Sequence, residues 1–225
     1  MEDVFAPAVA QPTRESFAAY VAHELRTPLA TQRALLELAL ADPGTDLAAW
    51  REIGADALCA CRQQERLVEA CLTLARSNSG LQRNDPVDLA AIAANVLRAH
   101  EAALARVVVL REARTSGDAE LVELLVANLV ANAIRHNTAG GWIHVATRSN
   151  RGHAVLSVVN TGPVIPAREV QRLFRPFERL DDTGAGAGLG LTIVQAVAEA
   201  HDATVTARTR SDGGLAIDVV FSALD

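Results

Sequence analysis

Between residues 77 and 86 the chain changes its apolar periodicity, and that change constrains the fold more than any other feature. Before it, from Arg14 to Leu40, apolar residues recur at helical spacing: Phe17, Val21, Leu25, Leu29, Leu35 or Leu36, and Ala39. Pro28 is the one breaker inside this run and predicts a kink. Residues 41–46 (ADPGTD) form a Pro-Gly turn, with Asp46 placed to cap a following helix. In that second helix, running to about Ser77, the residues Trp50, Ile53, Ala57, Cys61, Gln64, Leu67, Cys71 and Leu74 step by threes and fours, close to a heptad seam. Two antiparallel helices of this length cannot cover their own apolar stripes. Pairing of a second copy into a four-helix bundle is therefore expected, which makes the chain a homodimer.

After the polar stretch SNSGLQRNDP (77–86) the element types alternate. The pattern predicts a helix over about 88–104, a strand at Val107–Leu110 and a helix at about 118–136. Strands follow at Trp142–Ser149 and Ala154–Asn160, then a loop over 161–188, a helix over 189–201, and strands at 203–210 and 215–221. Such a mixture of helices and hairpins predicts an α/β sandwich with helices on one face of the sheet. The whole is thus an α+β chain: a leader (1–13), a helical hairpin (14–78), a linker (79–86) and a sandwich (87–225).

Composition narrows the function classes. A net charge of −6 with no Lys/Arg block argues against nucleic acid, whose binding needs a basic face. No apolar run approaches the 18 to 20 residues that span a bilayer, and no signal peptide is visible, so no membrane contact is expected of these residues. Cys59, Cys61 and Cys71 lack metal-clip spacing and are expected to be reduced thiols filling core space.

Four stretches carry chemistry. In the first, FAAYVAHELRTPLA (17–30), His23 lies off the apolar seam, with Glu24 beside it and Thr27 one turn on. A neutral imidazole can attack phosphorus with one nitrogen while a carboxylate holds the proton on the other. In the second, LLVANLVANAIRHN (124–137), Asn128, Asn132, Arg135 and His136 form one polar stripe opposite Leu125, Leu129 and Ala133. Each amide would cost roughly 1–3 kcal/mol if buried unpaired, so the stripe is either exposed or holds a ligand.

The third, VVNTGPVIP (158–166), turns away at a strand end. The fourth, LFRPFERL (173–180), precedes GAGAGLGLTIV (184–194). There, glycines at every second position let backbone N–H groups approach phosphate, and the helix starting near Leu189 aims its positive end at the same anion.

In order and wording, these stretches resemble the H, N, G1 and G2 boxes of bacterial sensor histidine kinases of two-component systems. The resemblance covers residues 14 to about 221. It implies a dimerisation and phosphotransfer domain followed by a GHKL-type ATP-binding domain. ATP and Mg²⁺ would be the cofactors, and the receiver domain of a response regulator the partner. His23 would be the phosphoacceptor, Glu24 the general base, and Thr27 the residue positioning water in the reverse, phosphatase direction. Asn128, Asn132, Arg135 and His136 would face the nucleotide, with Asn132 holding Mg²⁺. Asn160 and Gly162 would meet adenine, Arg179 the γ-phosphate, and Gly186, Gly188, Gly190, Leu191 and Thr192 the phosphates.

Two departures stand out in the third stretch, where the family has Asp-x-Gly-x-Gly. Asn160 replaces the Asp, at a cost on the order of 1 kcal/mol of charge assistance. Val164 replaces the second Gly and adds a Cβ. They keep open an alternative, a regulator-binding scaffold or phosphatase with weak kinase activity. Another ATPase of the same fold is a third reading, against which the hairpin with His23 speaks. The expected setting is the cytoplasm, as the cytoplasmic part of a membrane-bound sensor.

Overall fold

The computed structural model describes residues 29–41, 46–77, 84–99, 105–176, 178 and 188–224. The chain divides into two compact units, the helices up to Leu72 and the remainder from Thr73 onward. None of the described helices is long and apolar enough to cross a membrane.

The helical unit contains α1, residues 29–41, and all but the last turn of α2, Leu47–Ser77. Asp46 caps α2 as its position predicts: its Oδ1 accepts from Ala49 N at 2.8 Å. Of the expected seam, Trp50, Ile53, Ala57 and Gln64 are partly covered, with Arg51, Glu52 and Asp56 exposed beside them, whereas Cys61 is exposed; the side chains of Leu67, Cys71 and Leu74 lie outside what the structure describes. Gln32 fastens the hairpin internally, donating from Nε2 to Ala57 O at 3.0 Å and to Cys61 Sγ at 3.6 Å. Around it, Leu29, Leu38, Leu40, Leu58 and Leu72 stay exposed, Leu40 at 74% and Leu58 at 60%. One expectation fails here. Cys59 and Cys61 are exposed in the single chain and do not fill a core, because one hairpin covers only part of its own seam.

In the second unit, β2 (Ala105–Leu110), β4 (Trp142–Asn150), β5 (His153–Asn160), β6 (Thr204–Thr209) and β7 (Leu215–Ser222) form one sheet in the order β2-β4-β5-β7-β6. All neighbours run antiparallel except β2 and β4. A parallel pair needs a crossover, and α4 (Ala119–Arg135) lies within it, which lays that helix across the sheet. Along β7 the residues Leu215, Ile217, Val219 and Phe221 are buried and those between them half-exposed, the signature of a sheet covered on one face. The cover is α3 (Leu89–Ala99), α4 and α5 (Gly190–Ala200). From α4 alone, Leu121, Val122, Leu125, Val126, Leu129 and Val130 are buried, each contributing about 1.5–3 kcal/mol.

Three elements went unforeseen. β1 (Asp85–Asp88) pairs antiparallel with β3 (Arg114–Gly117), so the sandwich begins two residues inside the expected linker. A 3₁₀ helix, Ala167–Phe174, interrupts the expected loop. Asp88 and Asp118 cap α3 and α4, and a buried histidine ties two helix ends together. Asp118 N donates to His201 Nε2 at 3.0 Å, while His201 Nδ1 meets Val197 O at 2.8 Å. One ring nitrogen must accept and the other donate, so a single neutral tautomer satisfies both. His201 is thus a satisfied core residue.

Candidate functional site

The apolar side of α4 determines where its polar side points. With Leu125, Leu129 and Ala133 pressed on the sheet, Asn128 and Asn132 are left half-buried and Arg135 and His136 exposed, the stripe read from the sequence. Asn128 Nδ2 donates back to Leu124 O at 2.9 Å. Its Oδ1 faces the first residue of α5, where a Cβ added to Gly190 would lie 3.3 Å away. Among the described residues no hydrogen bond engages the Asn132 side chain, which keeps an amide oxygen available.

The first turn of α5 has no side-chain cap, and Ile193 N is already bonded to Leu189 O at 2.9 Å. The N–H groups before it are those a helix start offers to an anion. Gly188 (φ +67°) turns the chain into this helix from the left-handed region. Leu191 is buried, so its side chain packs in the core. Thr192 donates its hydroxyl to Phe174 O at 3.2 Å, fastening α5 to the 3₁₀ helix.

At the other end of the stripe stands the loop after β5. Gly162 passes so close that a Cβ there would lie 2.6 Å from His136 O and 3.3 Å from Asn160 Nδ2. Asn160 is 5% exposed and donates from Nδ2 to Thr161 O at 2.8 Å. The Thr161 hydroxyl donates to Asn137 Oδ1 at 2.7 Å and accepts from Trp142 N at 2.8 Å. Asn137 Nδ2 donates to Trp142 O at 3.0 Å. Arg210 stacks over the Trp142 ring, 4.8 Å from its centroid, and Gly214 N bonds Pro163 O at 2.9 Å. Asn137 and Thr161, which sequence reasoning passed over, thus bind the end of α4 to the loop. Their only sequence signal was a polar residue directly following His136 in the one stretch and Asn160 in the other. Val164 is 74% exposed, so its Cβ lies in solvent.

Beyond the 3₁₀ helix, Glu178 is held by Arg172 at 2.7 Å and Arg175 at 3.2 Å, and Arg172 also meets Glu169 at 2.6 Å. The hydrogen bond from Arg172 is the main reason the Glu178 carboxyl sits below the usual glutamate range, with slight burial opposing it. Phe174, the last residue of the 3₁₀ helix, is buried. His23, Glu24, Thr27, Phe177, Arg179 and Gly186 lie outside the described residues.

A polar helical stripe with a glycine-led helix start at one end and a tight strand-end loop at the other is a phosphate-and-base arrangement. The family models agree with it. Residues 117–224 match the histidine kinase-, DNA gyrase B- and HSP90-like ATPase family, and residues 13–80 match the His Kinase A (phospho-acceptor) domain. The chain belongs to the sensor histidine kinases. It is 44% identical over 218 residues to the Streptomyces coelicolor sensor protein CutS, covering 92% of this chain and 52% of that one. It is 38% identical over 204 residues to the probable sensor histidine kinase TcrY of Mycobacterium tuberculosis, covering 84% and 42%. The solved Acinetobacter baumannii histidine kinase AdeS superposes with a TM-score of 0.71 at 25% identity, covering 90% of this chain and 98% of that one. The chain spans about half the length of the curated relatives it matches.

Among the candidates in the ATPase-type unit, the structure brings together Asn128 with Gly190, and His136 with Asn160 and Gly162. It gives Leu191 and the Thr192 hydroxyl to packing.

Proposed function

We propose that this chain autophosphorylates on His23 from ATP and passes the phosphoryl group to an aspartate of a response-regulator receiver domain. The observation that carries the reading is the convergence on one face of α4 of the α5 start beside Asn128 and the base loop beside His136. In this reading Asn160 accepts a hydrogen bond from the adenine amino group with Gly162 beneath the base. Asn128, Arg135 and His136 line the phosphates, and the α5 N–H groups with Gly186, Gly188 and Arg179 hold the β- and γ-phosphates. Catalysis of phosphoryl transfer is mostly positioning and charge neutralisation, which such a lining supplies. The His23 nitrogen forms a bond to the γ-phosphorus as the bond to the β-phosphate oxygen breaks, and ADP departs. Glu24 takes the proton from the other ring nitrogen. Thr27 positions water when the chain works as a phosphatase on the regulator.

The oxygen of Asn132 suits Mg²⁺, a hard cation that takes one or two protein oxygens plus phosphates. Mg²⁺ there would neutralise phosphate charge. The exposed leucines of the hairpin support a homodimer through that unit, and ATP and receiver domains place these residues on the cytoplasmic side.

Incubation with γ-labelled ATP and Mg²⁺ tests the proposal. Acid-labile label is expected on the chain, lost in His23→Ala and reduced at least about a hundredfold in Asn132→Ala. Absence of label together with dephosphorylation of a phosphorylated regulator would turn the reading to the scaffold alternative.

A further inference from the structure

Asn160 is a buried amide whose two ends are chemically different, and the structure fixes which end meets the chain. Its Nδ2 lies 2.8 Å from the Thr161 carbonyl oxygen. A carbonyl only accepts, so the atom facing it must be the NH₂. That carbonyl is itself held. Thr161 N bonds Trp142 O at 3.1 Å, and the Thr161 hydroxyl is gripped on both sides by Asn137 Oδ1 and Trp142 N. Asn137 is fixed in turn through Ala133 O and Trp142 O. The amide therefore has no freedom to turn over without placing its oxygen against a carbonyl in a buried site.

We infer that Asn160 is a polarity-locked specificity residue, presenting only an acceptor to the base, and that Thr161 is the positioning residue that holds the lock. This rests on the nucleotide reading above and goes beyond it in two ways. First, an unlocked asparagine could offer its NH₂ to a 6-oxo purine, whereas this one rejects it and takes a 6-amino purine. Second, Asn160 is not a weakened aspartate. A carboxylate in its place would set an oxygen against the Thr161 carbonyl, so Asn160→Asp costs stability and does not tighten ATP.

Binding of ATP and of ITP, its 6-oxo counterpart, is measured by titration calorimetry on the full chain with Mg²⁺. Wild type is expected to prefer ATP by roughly 10- to 100-fold, the factor set by a mismatched buried acceptor. Thr161→Val should compress that ratio several-fold. Thr161→Ser, which restores the hydroxyl, should recover it. A merely structural role for Thr161 would weaken both nucleotides equally and leave the ratio unmoved. Asn160→Asp is expected to lower the Tm and leave ATP no tighter. Equal binding of ATP and ITP by wild type, an unchanged ratio in Thr161→Val, or tighter ATP in a fully stable Asn160→Asp each overturn the lock alone. Failure of wild type to bind either nucleotide overturns the nucleotide reading, and the lock with it.

Discussion

The two units of this chain differ in how much of their helical apolar surface they cover. In the sandwich the three covering helices bury their apolar faces, and polar side chains in and beside the core are tied within the chain: His201 bridges two helix ends, Thr115 reaches Ser222 O, and Thr161 is bonded on both sides. In the hairpin, an internal amide bond at Gln32 coexists with a row of leucines left in water. A surface holding several such leucines within two helices is larger in apolar content than a lone soluble hairpin tolerates. Under the proposed pairing of hairpins, the contrast predicts that the sandwich is stable by itself and that the hairpin draws its stability from a second copy. Two tryptophans make the contrast measurable, because Trp50 reports on the hairpin and Trp142 on the sandwich.

The largest expected effect breaks the sandwich alone. His201→Ala removes a ring packed edge-on against Phe221, leaves Asp118 N without its acceptor and opens a cavity beside Gly117. Cavity and orphaned donor together cost about 2–4 kcal/mol. In the Trp50→Phe background, thermal unfolding followed through Trp142 should shift down by many degrees. In the Trp142→Phe background, the hairpin transition should hardly move. Equal shifts in both would mean the units unfold as one.

Next in size is dilution. If the hairpin is stable only as a dimer, each tenfold dilution should remove about 1.4 kcal/mol from its transition, while the sandwich stays put. A hairpin Tm independent of concentration would break the comparison outright.

How much of this was legible in the sequence depended on how local the determinant is. The stripe on α4 follows from helical geometry, so Asn128, Asn132, Arg135 and His136 were read correctly as one face before any fold was known. The Asp46 cap was local as well. By contrast, β1 and β3 are four-residue strands, one containing Pro86 and the other the polar run RTSG. They exist because they pair with each other across more than twenty residues, and neither carries an alternating pattern of its own. The same holds for Asn137 and Thr161, which meet only once β4 and β5 have placed Trp142 between them. Leu191 and Thr192 were assigned from motif wording to the nucleotide. The fold gives the Leu191 side chain to the core and the Thr192 hydroxyl to Phe174 O, because the helix that starts there must also pack.

The smallest effect sharpens the comparison from the side of charge. Glu178 is ionised below the usual glutamate range because Arg172 and Arg175 hydrogen-bond it, and Arg172 is correspondingly raised by Glu178 and Glu169. A carboxyl whose folded pKa is depressed stabilises the fold above its unfolded pKa, about 4.3, and that contribution is lost as pH falls through the folded value. The Trp142 transition should therefore lose a small increment of Tm below about pH 4, and Glu178→Gln should remove that increment. The pair is largely solvent-exposed, so the increment should shrink further as salt is raised. The hairpin's exposed Arg33–Glu37 pair offers the matching control, since it spans one turn of a single helix and ties no separate elements together. Glu37→Gln should leave the Trp50 transition unmoved, whereas loss of the Glu178 contacts unties that residue from Arg172 of the 3₁₀ helix and from Arg175 at its end.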